Sequence, residues 1–302
     1  MVVQQHRSGG GALAVCALAV VGVMAAASGC SGGGGDTGGG GTVVDERAAT
    51  ADPAGALHRA AAVLAGAGGA RARTSMESAV GGTRVTVRGH GTYDFRRQLG
   101  RMKVVLPKDV AGQDEHLPIT ELLTPGALYM KNRGAGVPPD KWVRVDTTAL
   151  ADGNLVTGGV TDPMAAAELL RGARAVAYVG SSELAGERVW HFRGTADLAA
   201  AARGASPRTR RALAAAAKGF STGAVPFDAY LDDAGRLRKV RYRFSYVTEG
   251  PPVEVVSTTL LYGFGTAVTV ELPADGDIYT GEIRQPRTLP GTGPGRALPE
   301  GA

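Results

Sequence analysis

Hydrophobic residues fall at every second position through most of the middle of this chain. In TRVTVRGHGTYDF, residues 83–95, Val85, Val87, Tyr93 and Phe95 share one parity, while Arg84, Thr86, Arg88, His90 and Asp94 share the other. In RLRKVRYRFSYV, residues 236–247, Val240, Tyr242, Phe244 and Tyr246 oppose Lys239, Arg241, Arg243 and Ser245. A period of two with one apolar face predicts antiparallel strands that are wet on one side. The same reading predicts strands over 97–106, 127–133, 141–146, 174–180, 187–194, 225–232, 253–264 and 267–272. LDDAGRLRKV reads as a hairpin with Asp233 and Gly235 in its turn, and NRGAGVPPDKW as a longer loop.

The helical period appears in three places. Asp52 and Pro53 form a cap and first-turn pair ahead of Leu57, Ala61 and Leu64, and Gly66 to Gly69 end that run. Asp162 and Pro163 open a second helix, closed by Gly172, and Ser206 stands before an alanine-rich third, residues 207–218. A short helical turn is expected around Pro118 to Leu123. About ten strands and three helices predict an α+β architecture. A one-sided antiparallel sheet needs its apolar face covered, and the helices are the cover, so a curved sheet with helices over its concave face is expected.

The N-terminus departs from this pattern. His6 and Arg7 precede the apolar run Ala12 to Ala27, which is shorter than the roughly 20 residues of a membrane-spanning helix. Ala27, Ser28 and Gly29 place small residues directly before Cys30, as in the bacterial lipoprotein box, with Ala27 where leucine is more usual. Residues 1–29 are therefore expected to be a signal peptide. Cys30 becomes the new N-terminus and carries an acyl chain such as palmitate. An ordinary secretory signal with an incidental cysteine is the alternative. Cys16 lies in the apolar run, so cleavage leaves one cysteine and no disulfide. Residues 31–51 are glycine-rich slack with a root-mean-square span of roughly 25 Å. Residues 281–302 are rich in Pro and Gly and are expected to be disordered, which leaves 52–280 as the folded domain.

Composition adds little. Apolar residues make up 44%, enough for a core, and the formal charge of +5 suits an anionic surface. An export signal disfavours nucleic acid as a partner. The histidines after the signal, His58, His90, His116 and His191, share no metal-ligand spacing, and GSSELAG does not frame a nucleophile elbow. Asp114 and Glu115 are adjacent acids in a polar loop. The chain is expected to be a monomer without catalytic activity, cofactor or metal. Its basic strand faces, with Arg84, Arg88, Arg241 and Arg243 foremost, read as solvated surface or as a face toward anionic lipid headgroups. The apolar set Val85, Val87, Tyr93, Leu128, Met130, Trp190, Phe192, Tyr242, Phe244 and Tyr246 reads as core or as the lining of a cavity for acyl chains.

The order of motifs carries a resemblance over residues 52–275. ALHRAAAVLAGAGGARARTSMES, GALYMKNRGAGVPPDKWVRVD, TDPMAAAELLRGA, VGSSELAGERVWHFRGTADL and VPFDAYLDDAGRLRKVRYRFSY follow the lipobox in that sequence. The chain resembles actinobacterial lipoproteins of the LppX and LprG type, whose fold is like that of LolA and LolB. The resemblance implies a half-barrel of antiparallel strands closed by helices, with a cavity that carries lipids or lipidated molecules across the cell envelope. Helices 53–67 and 162–172 would form the lid. Similar RseB-like domains act as sensors, so a partner protein in the same groove is the second expectation.

Overall fold

The computed structural model describes residues 50–80, 83–106, 117–133, 136–156, 161–246 and 253–281. Cys30, the signal segment, most of the glycine-rich stretch, His116, Asp114, Glu115 and the tail after Gly281 lie outside these residues. Eleven strands form one sheet: β1 (Gly69–Val80), β2 (Thr83–Asp94), β3 (Leu99–Val105), β4 (Ile119–Thr124), β5 (Ala127–Lys131), β6 (Trp142–Asp146), β7 (Ala173–Leu184), β8 (Glu187–Asp197), β9 (Ala224–Asp232), β10 (Leu237–Tyr246) and β11 (Val253–Tyr262). Their order is β6-β5-β4-β3-β2-β1-β11-β10-β9-β8-β7, so the first and last strands meet at the centre and the sheet stays open. Every neighbouring pair is antiparallel. Four helices complete the described fold: α1 (Pro53–Gly66), α2 (Pro163–Leu169), α3 (Leu198–Gly204) and α4 (Pro207–Gly219). This is the curved half-barrel α+β fold expected from the sequence.

Several local expectations change. The segment Pro118 to Leu123 is not a helical turn: from Ile119 onward it belongs to β4, which pairs with β3 on one side and β5 on the other. Both Leu122 and Leu123 are buried there, one on each face, which removes the alternation that marks other strands. β1 was not legible as a strand because its first inward residues are Ala70, Ala72 and Thr74, too small or polar to produce a hydrophobic beat against Arg71 and Arg73, which leaves Met76 as a lone large apolar residue on that face. Residues 267–272 form no strand, and α3, with its run of alanines, is an additional helix. Ser206 stands at the α4 N-cap, yet its hydroxyl bonds no backbone N–H and lies 3.4 Å from the Thr209 hydroxyl. The other two caps form as the spacing predicts. Asp52 accepts from Gly55 N at 2.8 Å, and Asp162 from Met164 N at 2.7 Å and Ala165 N at 3.0 Å.

The 231–240 hairpin closes on Asp232, whose carboxylate accepts from Ala234 N and Arg236 N at 3.1 and 2.9 Å while Gly235 takes φ 72°. The two sheet edges differ. β6 is flanked by the C-terminal segment, with Ile278 bridging Trp142 and Tyr279 N donating to Trp142 O at 2.8 Å. β7 pairs with β8 through two register shifts, and Ala175 and Gly180 in it take φ 48° and 146°.

The inner face is covered in two ways. α1 packs on α2 and β7, α2 on β10, and α3 on β8 and α4. A non-helical strap after β6 completes the cover: Asp152 accepts from Asn154 N and Val156 N at 3.1 and 2.7 Å, and this turn buries Leu155 completely. Gly153 locks the strap against α4, since it sits at φ 57° and a Cβ there would come within 2.0 Å of Ala212 O. Gly153→Ala is expected to cost about 2 kcal/mol or more, from left-handed strain together with the clash. A thermal midpoint unchanged from the parent would show that the strap is not held this way.

Candidate functional site

The register lays the inner face out in rows. Ile119, Val104, Gly89, Thr74, Thr259, Val240, Ala229, Phe192 and Tyr178 form one row from β4 to β7. Val143, Met130, Glu121, Met102, Gly91, Ala72 and Leu261 form the next from β6 to β11. Of the residues picked out by pattern, Tyr93, Leu128, Met130, Trp190, Phe192, Tyr242 and Phe244 are brought together in one buried core, with Val87 packed at its margin. Val85 stands apart, 39% exposed. Tyr246 closes β10, and its side chain lies outside the described set.

Aromatic contacts run along this core. Tyr242 meets Phe227 and Phe244 at ring separations of 6.2 and 5.7 Å, and Tyr178 meets Trp190 and Phe192 at 6.2 and 5.7 Å. Sequence reading missed Tyr178 and Phe227, although both sit on the inward parity of strands it had placed.

Polar latches tie cover to wall. Tyr93 donates to both oxygens of Asp162 at 3.0 and 3.1 Å, and Tyr242 donates to Ala166 O at 2.7 Å. Thr161 shares a 2.7 Å bond with Ser257. Burial pushes the Asp162 carboxyl above its ordinary range despite the bonds it accepts, and burial followed by the Asp162 charge pushes the Tyr93 hydroxyl well up. Both groups gain from the contact, because each buried polar atom left alone would carry a desolvation cost.

Glu121 has no such contact. It is completely buried between Met102 and Met130, and both its carboxyl oxygens lack a hydrogen-bond partner. Burial pushes its pKa up to about 8, with the Arg133 charge opposing. Near neutral pH it is therefore mainly an uncharged acid, able to donate one hydrogen bond and accept another. Once ITELLT is recognised as a strand, Glu121 falls on the inward parity with Ile119 and Leu123, and that parity is the signal that reveals it.

The space between wall and cover is small among the described residues. One void of about 40 Å³ lies among Tyr93, Leu123, Asn154, Asp162 and Thr209. Another of about 30 Å³ lies against Ala56, Val63, Trp190, Phe192 and Leu231. Each has room for only a few waters, whereas small-molecule pockets run to about 300 Å³ or more. Among the described residues, neither void is large enough for an acyl chain.

The outer face is different. Arg88, Arg241 and Arg243 share it with His90 and Lys239 of the same strand faces, and with Arg73 and Arg193, which the sequence reading had not grouped with them. Arg84 lies farther along β2, in register with Ala79. A recess of about 550 Å³ opens beside Arg73, Arg88, His90, Leu184, Lys239 and Tyr262. A second, of about 390 Å³, adjoins it through Lys239 and holds His191, Arg193, Asp228, Arg241 and Arg243. Burial alone would raise the Asp228 carboxyl, but hydrogen bonds from His191 and Arg193, both at 2.9 Å, and their charges hold it below its usual range. Among the described residues no cluster of three or more His, Cys, Asp or Glu could hold a metal, and no helix is long and apolar enough to cross a membrane.

No family model matches the chain, and no curated protein matches it by sequence. Solved structures do match by shape. The lipoprotein LppX of Mycobacterium tuberculosis aligns at 10% identity with a TM-score of 0.43, over 73% of this chain and 100% of that one. LprF from Mycobacterium bovis aligns at 14% identity with a TM-score of 0.39, over 74% and 98%. The MucA/MucB complex of Pseudomonas aeruginosa aligns at 15% identity with a TM-score of 0.30, over 77% and 63%. At that level of likeness the chain's own residues have to carry a functional reading.

Proposed function

We propose that the chain is an extracytoplasmic lipoprotein, anchored through Cys30, that takes a lipid or lipidated molecule between its curved sheet and the helices above it, and carries or presents that molecule without chemistry. One observation carries this reading: beside Leu57, Leu64, Met164, Leu169, Leu198 and Leu213, the buried faces of the covering helices hold nine alanines against an aromatic and aliphatic wall. Ala56, Ala60 and Ala61 of α1, Ala165, Ala166 and Ala167 of α2, Ala201 and Ala202 of α3 and Ala216 of α4 are all buried. Each buried methylene is worth about 0.8 kcal/mol, so an alanine in place of leucine leaves roughly 2 kcal/mol less to overcome when the layers part. The wall itself keeps Tyr93, Trp190, Phe192, Tyr242 and Phe244, which an acyl chain would cover again. Glu121 supplies a polar contact of the kind a mostly apolar site uses to orient a ligand. Loading requires α1 and α2 to move outward, because the voids now present are too small for an acyl chain.

The test uses protein purified from membranes of its host. Native mass spectrometry should show an added mass that organic extraction removes. The Cys30→Ser chain should move from the detergent phase to the aqueous phase on detergent partitioning while keeping its fold. Protein that is always empty, together with capture of one stoichiometric membrane protein, would replace lipid carriage with partner binding through the same face. A Cys30→Ser chain still wholly in the detergent phase would remove the anchor.

A further inference from the structure

The outer face carries an observation independent of the inner one. Together the two adjoining recesses are lined by Arg73, Arg88, Arg193, Lys239, Arg241 and Arg243 against one carboxylate, Asp228. The whole chain has 33 basic to 28 acidic residues, so this six-to-one ratio is a concentration and not a share of a basic average. In register the cations form two lines across the strands. Arg73 and Lys239 lie along one, which also holds His90, Tyr230 and His191, and Arg88, Arg241 and Arg193 along the other, both rows running from β2 to β8. Five inter-strand steps of about 4.8 Å make this a trough of about 24 Å.

Two of its cations, Arg73 and Lys239, are held in place. Arg73 lies 5.1 Å over the Tyr262 ring and Lys239 lies 5.1 Å over the Tyr230 ring, whose plane also stacks on His191 at 4.4 Å. Among the described residues neither Arg73, Arg88, Lys239 nor Arg241 forms an ion pair with a carboxylate. Fixed cations without counter-charges favour an anionic ligand that does not have to order them first.

The shape selects among anions. A single small anion would use one or two of the cations and leave the line unexplained. A bilayer is a plane and meets a convex sheet at its crest, which keeps headgroups out of a recess. Single-stranded nucleic acid draws on open aromatic faces for base stacking, and here the Tyr230 ring is engaged by Lys239 and His191 and one face of Tyr262 by Arg73. A thin chain with an anionic group on successive units fits, with Ser75 and Thr258 beside it for its hydroxyls. We infer that the outer trough binds an anionic polysaccharide, laid across the strands from β2 to β8.

The probe is a short dextran sulfate chain, compared with uncharged dextran of the same length, on the full Cys30→Ser chain so that no lipid anchor contributes. Dextran sulfate should bind and weaken steeply with salt, and dextran should not bind. Arg73→Glu with Arg88→Glu should weaken binding by at least about tenfold. Arg211→Glu with Lys218→Glu, exposed positions on α4, changes the net charge equally and should leave most of the affinity. If the reversal in the trough disturbs folding, Arg73→Gln with Arg88→Gln gives the same comparison without it. Equal losses from the trough and α4 pairs would overturn the inference by showing attraction to net charge alone. Tighter binding to vesicles rich in anionic phospholipid, or to single-stranded DNA of matched charge, would overturn it in favour of those partners. None of these results depends on whether the inner face holds a lipid.

Discussion

Glu121→Met is expected to stabilise the protein, by roughly 2–4 kcal/mol at pH 8.5 and by much less at pH 5. The direction follows from linkage. The folded state lifts the Glu121 pKa from 4.5 to about 8, so it binds this proton more tightly than the unfolded chain does. Its contribution is intact below about pH 4.5 and is lost as pH rises through about 8, by at most about 5 kcal/mol at 1.36 kcal/mol per pKa unit. Methionine matches glutamate in length and is the residue already on both sides, at 102 and 130, so the substitution removes the ionisable group with little change in packing. Urea unfolding of parent and variant at pH 5 and pH 8.5 checks this. The two should diverge as pH rises. Parallel lines would mean that Glu121 is paired or solvated. Because Asp162 is also raised, and Asp146 and Asp228 are lowered, only the difference between the two proteins isolates Glu121.

Asp162→Ala should act in the opposite direction, with a cost of about 2–4 kcal/mol. Two losses combine. The helix cap on Met164 N and Ala165 N is worth about 1 kcal/mol, and the Tyr93 hydroxyl, 1% exposed at its residue, is left without its acceptor at about 1–3 kcal/mol. Tyr93→Phe removes the second loss only. A double-mutant cycle on the pair should therefore give a coupling of about 1 kcal/mol or more, since both side chains meet in one contact. Additive effects would show that Asp162 serves α2 alone and that the cover is not tied to β2 through it.

The period-two pattern revealed nearly all of the sheet because most strands have one wet face and one that is buried. It failed where that contrast is absent. β1 faces inward with alanine, threonine and a single large residue, Met76, and β4 is buried on both sides at Leu122 and Leu123. Those two failures explain what was missed at the sites. Without β1, Arg73 had no position beside Lys239, and the outer trough dissolved into separate runs of arginine. Without β4, Glu121 fell in an expected helical turn, with no strand parity to place it on the inner face. The aromatic wall was legible because large side chains on a known parity point the same way. The latches were not, because Tyr93 and Asp162 are brought together by the fold across 69 residues of chain.

The open sheet has a final consequence. An unclosed sheet of this length is a template at both ends, and each end could recruit another strand and start a fibre. This chain disarms the two ends by separate means. At β6 it spends its own Ile278 and Tyr279 as a stopper, and at β7 the shifts of register spoil the straight rail on which a newcomer would pair. Barrel closure would also have removed the edges, but it would have fixed the curvature of the wall. Leaving the seam open and blocking both ends preserves a sheet that can flex without polymerising.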